Sequence, residues 1–497
     1  MTRTPSSDHR ARRLSRKLLS TLPSDIEIPR YDMDGIECGI VHLGLGAFHR
    51  AQQALYTDDI LGNDRRWGIV GVSLRDTAVR DLLTPQDCLY TVLERYGDNI
   101  QARVIGAIRA ALHAPSDLEK VLGHIADPAV HVVTLTVTEK GYSQHPATGQ
   151  LDLDDPNIRH DLANPDRPRS TLGILTAGIR RRSLRAPLTV ICCDNMASNG
   201  ETVRRLLLQY ADRVDPAIAR HIETAIAFPN SVVDRIVPAA TAESLALAEE
   251  KLGIRDEAAI VCEPFKQWVI EDRFAGPRPP WEHAGVMLID DTRPFQMLKL
   301  RLLNGTHSAI AYLGQLCGRE TVADVMADER LSPFVRRLML EEIRPTVLAP
   351  PRYDVVDYCN QLLRRFENPL LRHRTEQIAA DGTQKIPVRW LPPLRESLAK
   401  NVELPRLERS LAAWLHYLIE GRAEDGRPLV IGDPGVPSLA QRLRAAGPDT
   451  DAVVRAALAH TAVFGDAPWP EAFATRIAAH IATLRAGGVA ALVHGMG

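Results

Sequence analysis

A lysine, an asparagine and a histidine stand inside one apolar run, Pro294-Phe-Gln-Met-Leu-Lys299-Leu-Arg-Leu-Leu-Asn304-Gly-Thr-His307-Ser308. Read as a helix at ~100° per residue, the run puts Lys299 and His307 ~80° apart around the axis, with Asn304 and His307 as i,i+3 neighbours. All three can then line one wall. Met297, Leu298, Leu300, Leu302 and Leu303 cover most of the remaining circumference, so a helix buried on nearly all sides is expected. Burial disfavours the ammonium form and draws a lysine pKa towards neutrality, which is what a general base needs near pH 7. The competing reading is a lysine that snorkels to the surface and pairs with a carboxylate. Asn304 and His307 on the same wall weigh towards chemistry.

Upstream, Cys38-Gly-Ile-Val-His-Leu-Gly44-Leu-Gly46-Ala-Phe48-His49-Arg50 reads as a short strand entering a tight glycine turn, then a helix over 51–61. A dinucleotide needs such a turn: Gly44 and Gly46 let the backbone approach a pyrophosphate, and the helix start offers unpaired N–H groups. His49 occupies the place of the third glycine of G-x-G-x-x-G, so on this motif alone an ordinary strand-to-helix turn competes with nucleotide binding. The strand over 67–74 ends in Arg75-Asp76; an acid there bonds the ribose 2′-hydroxyl of NAD, whereas an arginine accepts the 2′-phosphate of NADP. Asp76 points to NAD, and Arg75 leaves NADP open.

Two further buried strands, over 130–137 and 188–193, deliver Thr138-Glu139-Lys140-Gly-Tyr142 and Asp194-Asn195-Met-Ala-Ser-Asn199-Gly200 at their carboxyl ends, where open α/β sheets place ligands. One of Asn195 and Asn199 is expected to be a helix cap or turn former. Asp234 and Arg235, in the apolar stretch 228–238, should be paired or sit in a site.

The elements that must hold these residues follow from the pattern. At 497 residues the chain has room for two or three domains. Strands alternating with helices predict a Rossmann-type, doubly wound parallel sheet over 31–290, preceded by a flexible, Arg-rich arm over 1–30. The Pro/Gly-rich cluster 275–280 is the candidate boundary. From 291 to 497 helical periods dominate (321–327, 333–342, 354–366, 407–419, 452–460, 471–484), so a mainly α-helical second domain is expected, and the reacting groups would be drawn from both. A formal net charge of -2 offers no attraction to nucleic acid or an anionic membrane. No run of ~18 apolar residues suggests a membrane span. Seven cysteines without a C-x-x-C pair indicate neither a zinc ribbon nor a disulfide framework, and a reducing, cytoplasmic setting fits.

Taken together, the blocks 40–51, 136–142, 193–195, 228–238, 263–272 and 299–308 resemble the polyol-specific long-chain (mannitol) dehydrogenase family, over about residues 38–490. The resemblance implies a metal-independent, NAD(P)-dependent interconversion of a secondary alcohol and a ketone. In it Lys299 is the general acid/base, Asn195 and Asn304 bond the reacting oxygen, His307 positions a neighbouring hydroxyl and Glu139 links the lysine to solvent protons. Gly44, Gly46, Phe48, Arg50 and Asp76 would serve the cofactor, and Asp234 the substrate pocket. The family's glycine turn also carries the histidine seen at His49. Lys140 and Gln377 depart from the mannitol-type pattern, and the stretch around Gln377 resembles the fructuronate-reducing branch. Interconversion of D-mannonate and D-fructuronate is therefore expected, with Lys140, Arg372, Arg374 and Lys385 as candidate partners of a substrate carboxylate. A mannitol-, arabinitol- or tagaturonate-type substrate is the alternative, and a catalytically inactive dinucleotide-binding sensor the reading from another class. A monomer acting on a small molecule is expected.

Overall fold

The apolar runs at 40–43, 69–73, 132–135 and 188–192 are buried from end to end, as a sheet covered on both faces requires. The computed structural model describes residues 12–97, 99–145, 148–351, 353–369, 373–433 and 435–494. The chain divides into two compact units at Arg293/Pro294. The strands are β1 (Ile40–Leu43), β2 (Ile69–Ser73), β3 (Tyr90–Tyr96), β4 (Asn99–Ile105), β5 (Ile108–His113), β6 (Val132–Leu135), β7 (Leu188–Cys192), β8 (Ile226–Ala227), β9 (Ser231–Asp234), β10 (Ile260–Cys262), β11 (Gln267–Glu271) and β12 (Met287–Ile289).

In the first unit a six-stranded, all-parallel sheet runs in the order β5-β2-β1-β6-β7-β8. The order reverses at β1, so the glycine turn that follows β1 emerges at the switch point where such sheets bind ligands. Period-two alternation fills both faces. Val41, Leu43, Val70, Val133 and Val190 pack with residues of the helices Ala114–Ala126, Thr171–Arg181 and Asn199–Val214. Ile40, Ile69, Val132 and Ile191 pack into a second core with Tyr56, Trp268 and Trp281. Two three-stranded sheets flank this frame, β10-β3-β4 and β12-β11-β9.

The expected flexible arm is corrected from Arg12 onward. Leu14 and Leu18 are buried in a core shared with Leu89, Leu93 and Leu252, and the Leu14 N–H donates to the Arg255 carbonyl at 2.8 Å. The basic composition hid two leucines whose burial repays the ordering of the segment. The boundary expected at 275–280 also moves: Trp281 is buried, and β12 beyond the cluster pairs in parallel with β11. The prolines mark a turn within the first unit.

From Pro294 to His494 the described residues form helices and no strands apart from isolated bridges. The helix Thr306–Leu316 is buried at every position and packs among Val322–Ala327, Thr375–Ala379 and Pro405–Glu420. The helix Glu471–Val493 is long and apolar enough to span a membrane. However, its Phe473, Ile477 and Ile481 are buried in this unit, and its Arg476 pairs with Glu408 at 2.8 Å.

Candidate active site

The glycine turn shows why two residues must be small and for different reasons. Gly44 has φ +102°, and a Cβ there would lie 2.1 Å from the Thr136 carbonyl oxygen. At Gly46 a Cβ would meet nothing nearer than the Gly44 oxygen at 3.7 Å. The protein itself does not need that space, which is the opening a phosphate requires against the backbone. The residue in the third-glycine position is explained by stacking: the His49 ring lies on the His42 ring at 3.4 Å, 11° from parallel. His42 is held by Thr134 and Thr136 at 2.8 and 2.9 Å, and Thr136 donates to the Gly44 carbonyl. Burial pushes the His42 pKa down to about 3 and that of His49 well below its ordinary value. Phe48 is half-buried against the adjoining core. Asp76 is exposed beyond β2, its carboxylate accepting from the Ala78 N–H at 3.0 Å.

Arg50 is committed to the frame. It is buried, donates to the Ala258 carbonyl at 2.6 Å and lies over the Tyr90 ring, and its Nε braces the turn through the Gly46 carbonyl at 3.3 Å.

At the carboxyl end of β6 and β7 one carboxylate organises the loops. Asp194 accepts from the Val137 and Thr138 N–H groups at 3.0 and 3.1 Å and from the Tyr142 hydroxyl at 2.6 Å. Burial pushes its carboxyl up, against hydrogen bonds that favour the ionised form. Thr138 is thereby held at φ +67°, ψ 160°, a region nearly reserved for glycine that costs on the order of 1–3 kcal/mol. Glu139 follows Thr138 and Asn195 follows Asp194, both exposed, so the brace fixes the backbone from which both side chains leave. Asn199 is the structural member of its pair. Its Nδ2 donates to the carbonyls of Cys192 and Ser231 at 2.9 and 3.0 Å, and its Oδ1 accepts from the Ser231 N–H at 2.9 Å.

Asp234 ends β9, buried, opposite Gln267 of β11. Its neighbour Arg235 pairs with Glu94 and donates to the Glu263 carbonyl at 2.8 Å, so it belongs to the frame.

In the second unit the expected α-helix through Lys299 is replaced over Lys299–Gly305 by a π-helix, between α-helical turns Arg293–Leu298 and Thr306–Leu316. The wider i→i+5 turn voids the 100° spacing and is frequent at functional sites. It is stabilised by side chains from the region 389–390: Arg389 Nη1 donates to the Asn304 carbonyl at 3.1 Å, and Trp390 Nε1 to the Gly305 carbonyl at 2.9 Å. Burial all round is also corrected, since Met297 is exposed and Lys299 and Asn304 are half-buried. His307 is buried, and its Nε2 has no partner among the described residues. Its pKa is well below the ordinary value, through burial and the nearby His373, Arg365 and Arg389. The ring is therefore neutral at pH 7 and can donate to or accept from a hydroxyl.

The cations expected to meet a carboxylate fare differently. Lys140 is exposed on the Glu139 loop, and Arg374 is exposed beside Glu376 at 3.2 Å. Lys385 Nζ donates to the carbonyls of Ala380 and Ile378 at 2.6 and 3.3 Å, beyond the helix Thr375–Ala379. Arg372 lies outside the described residues. Arg389 was missed in the sequence; its i,i+4 spacing from Lys385 on the helix Gly382–Arg389 was the available signal.

Family models of the mannitol dehydrogenase Rossmann domain and C-terminal domain match residues 38–283 and 291–485. The D-mannonate oxidoreductase of Escherichia coli K12 is 42% identical over 455 residues, 90% of this chain and 92% of that protein. A D-sorbitol dehydrogenase solved in substrate-free form is 33% identical with a TM-score of 0.90, over 97% of this chain and 100% of the other. The Pseudomonas fluorescens mannitol 2-dehydrogenase, solved as a ternary complex with NAD and D-mannitol, is 33% identical with a TM-score of 0.81, over 98% and 99% of the two chains.

Proposed function

The chain belongs to the mannitol dehydrogenase family of oxidoreductases, and from that premise we propose that it interconverts D-mannonate and D-fructuronate with NAD. The observation that carries the reading is the π-helical turn that bears the half-buried Lys299 and Asn304, followed by His307, a neutral imidazole whose Nε2 has no partner among the described residues. The likeness to D-mannonate oxidoreductase supports the substrate class.

The glycine turn fits the cofactor by the open space at Gly46. Gly44, Gly46, Phe48 and Asp76 would hold it, with Arg50 bracing the turn. When bound, NAD exchanges a hydride with the reacting carbon. The protein's work is with the proton and the charge. Lys299 Nζ takes the hydroxyl proton in the oxidative direction and returns it in the reductive one. Asn195 and Asn304 donate to the oxygen as negative charge develops there, and such preorganised donors are each worth about 3 kcal/mol. His307 fixes an adjacent hydroxyl, Asp234 serves the substrate pocket, and the exposed Glu139 passes protons between Lys299 and solvent.

The test is the initial rate of NADH oxidation with D-fructuronate and with D-fructose at pH 7. A preference for the uronate of about 100-fold or more supports the reading. A preference for fructose would favour a polyol substrate, the reading to which the mannitol 2-dehydrogenase likeness points. Lys299→Ala should lower turnover about 10²–10⁴-fold while NADH still binds by fluorescence titration. Retained turnover would remove the lysine from the chemistry.

A further inference from the structure

Cationic side chains gather around His307 in the second unit. His307 feels Arg365, Arg389 and His373, and His373 feels Arg365 and Lys385. The His307 and His373 rings meet edge to face at 5.1 Å. His373 Nδ1, like His307 Nε2, is buried with no partner among the described residues. Arg389 is the member of the group with a guanidinium to spare. It donates through Nη1 to the Asn304 carbonyl at 3.1 Å and to the Ser308 hydroxyl at 2.9 Å, both neutral acceptors. No carboxylate of the described residues pairs with it. Arg301 and Arg406 of the same unit each hold a glutamate: Glu396 for Arg301, and Glu342 for Arg406 at 3.2 Å. Withdrawing a cation from water without a counter-charge is costly. Burial lowers the Arg389 pKa only to about 10, so it remains charged at pH 7.

An arginine in this position can be matched by an anion brought by the ligand. The planar fork suits a carboxylate, and the carbonyl it holds belongs to Asn304, one of the donors assigned to the reacting oxygen. We propose that Arg389 is the specificity-determining residue that binds the substrate's carboxylate, with the His373 ring as a second donor. This rests on the sugar-acid reading of the same site. It also moves the carboxylate contact away from Lys140, Arg374 and Lys385. A polyol would leave the Arg389 charge unmatched, so the same residue that favours a sugar acid selects against the neutral sugar.

The experiment compares kcat/KM for D-fructuronate and D-fructose in the full-length enzyme, its Arg389→Leu and Arg389→Lys variants, and Ser308→Ala. Arg389→Leu is expected to lose about 100-fold more on D-fructuronate than on D-fructose. Arg389→Lys should recover part of that difference, because it keeps the charge. Ser308→Ala, which removes one of the bonds Arg389 makes and leaves its charge, should move both substrates together. An equal loss on the two substrates in Arg389→Leu would overturn the proposal and make Arg389 a brace for the π-helical turn, and no loss would overturn it as well. Inhibition by D-gluconate against D-glucitol separates this proposal from the substrate reading. If the wild type prefers D-fructose, the D-fructuronate assignment fails. A selective inhibition by D-gluconate that disappears in Arg389→Leu still supports an anion site at Arg389, and its absence overturns that site.

Discussion

At the scale of single residues, the two glycines of the turn make opposite demands that can be measured. Gly44→Ala forces a methyl to 2.1 Å from the Thr136 carbonyl oxygen at φ +102°, and should destabilise the protein by about 2 kcal/mol or more. Gly46→Ala places its methyl in open space, so urea unfolding should change little, while NADH affinity should drop about tenfold or more as the methyl meets the phosphates. Equal NADH affinity in Gly46→Ala would mean that the pyrophosphate does not approach this backbone. The glycines were legible because their chemistry is local. The role of His49 was not, since a stack on His42 depends on where two rings lie in space and not on their spacing in the chain. Arg389 was hidden for the same reason: an arginine at the end of a short helix carries no mark of the carbonyl it will meet.

At the scale of elements, the Glu139 loop and the segment carrying Asn195 are joined by the Asp194 carboxylate, and Thr138 is held in a glycine-like conformation by that joint. Asp194→Asn removes the charge and weakens two of the three bonds, so kcat should fall about 100-fold through loss of position, with a smaller change in KM for NADH. Adding Thr138→Gly to Asp194→Asn should recover part of kcat, because glycine adopts the same backbone without strain. A variant with unchanged kcat would show that the reaction does not depend on this brace. The π-helix Lys299–Gly305 makes the same point. Apolar periodicity located a helix there, but the wider turn is stabilised by Arg389 and Trp390, far along the chain, and so could not be read from the run itself.

At the scale of the whole molecule, His42, His49 and His307 are buried in neutral form, His42 with a pKa of about 3 and the other two well below the ordinary value. Each has a folded pKa below its unfolded value of about 6.5, so it takes up a proton on unfolding. Stability is therefore full above about pH 6.5 and is lost as pH falls towards the folded value, at about 1.4 kcal/mol per pH unit for each histidine in that window. Urea midpoints should drop between pH 7.5 and 5.5, and His49→Phe, which keeps a flat ring on His42, should reduce the drop. Coincident midpoints at the two pH values would contradict the buried neutral state. By itself the sequence determined the parallel sheet, the helical second unit, the glycine turn and the stretch carrying Lys299, Asn304 and His307, because burial period and residue chemistry are written in local order. Only the tertiary structure decided that Leu14 and Leu18 are core, that the Pro/Gly cluster at 275–280 lies inside the first unit, that the lysine stands on a π-turn and that Arg389 bonds neutral acceptors. Those outcomes depend on contacts between residues far apart in the chain, whose energies no local pattern encodes.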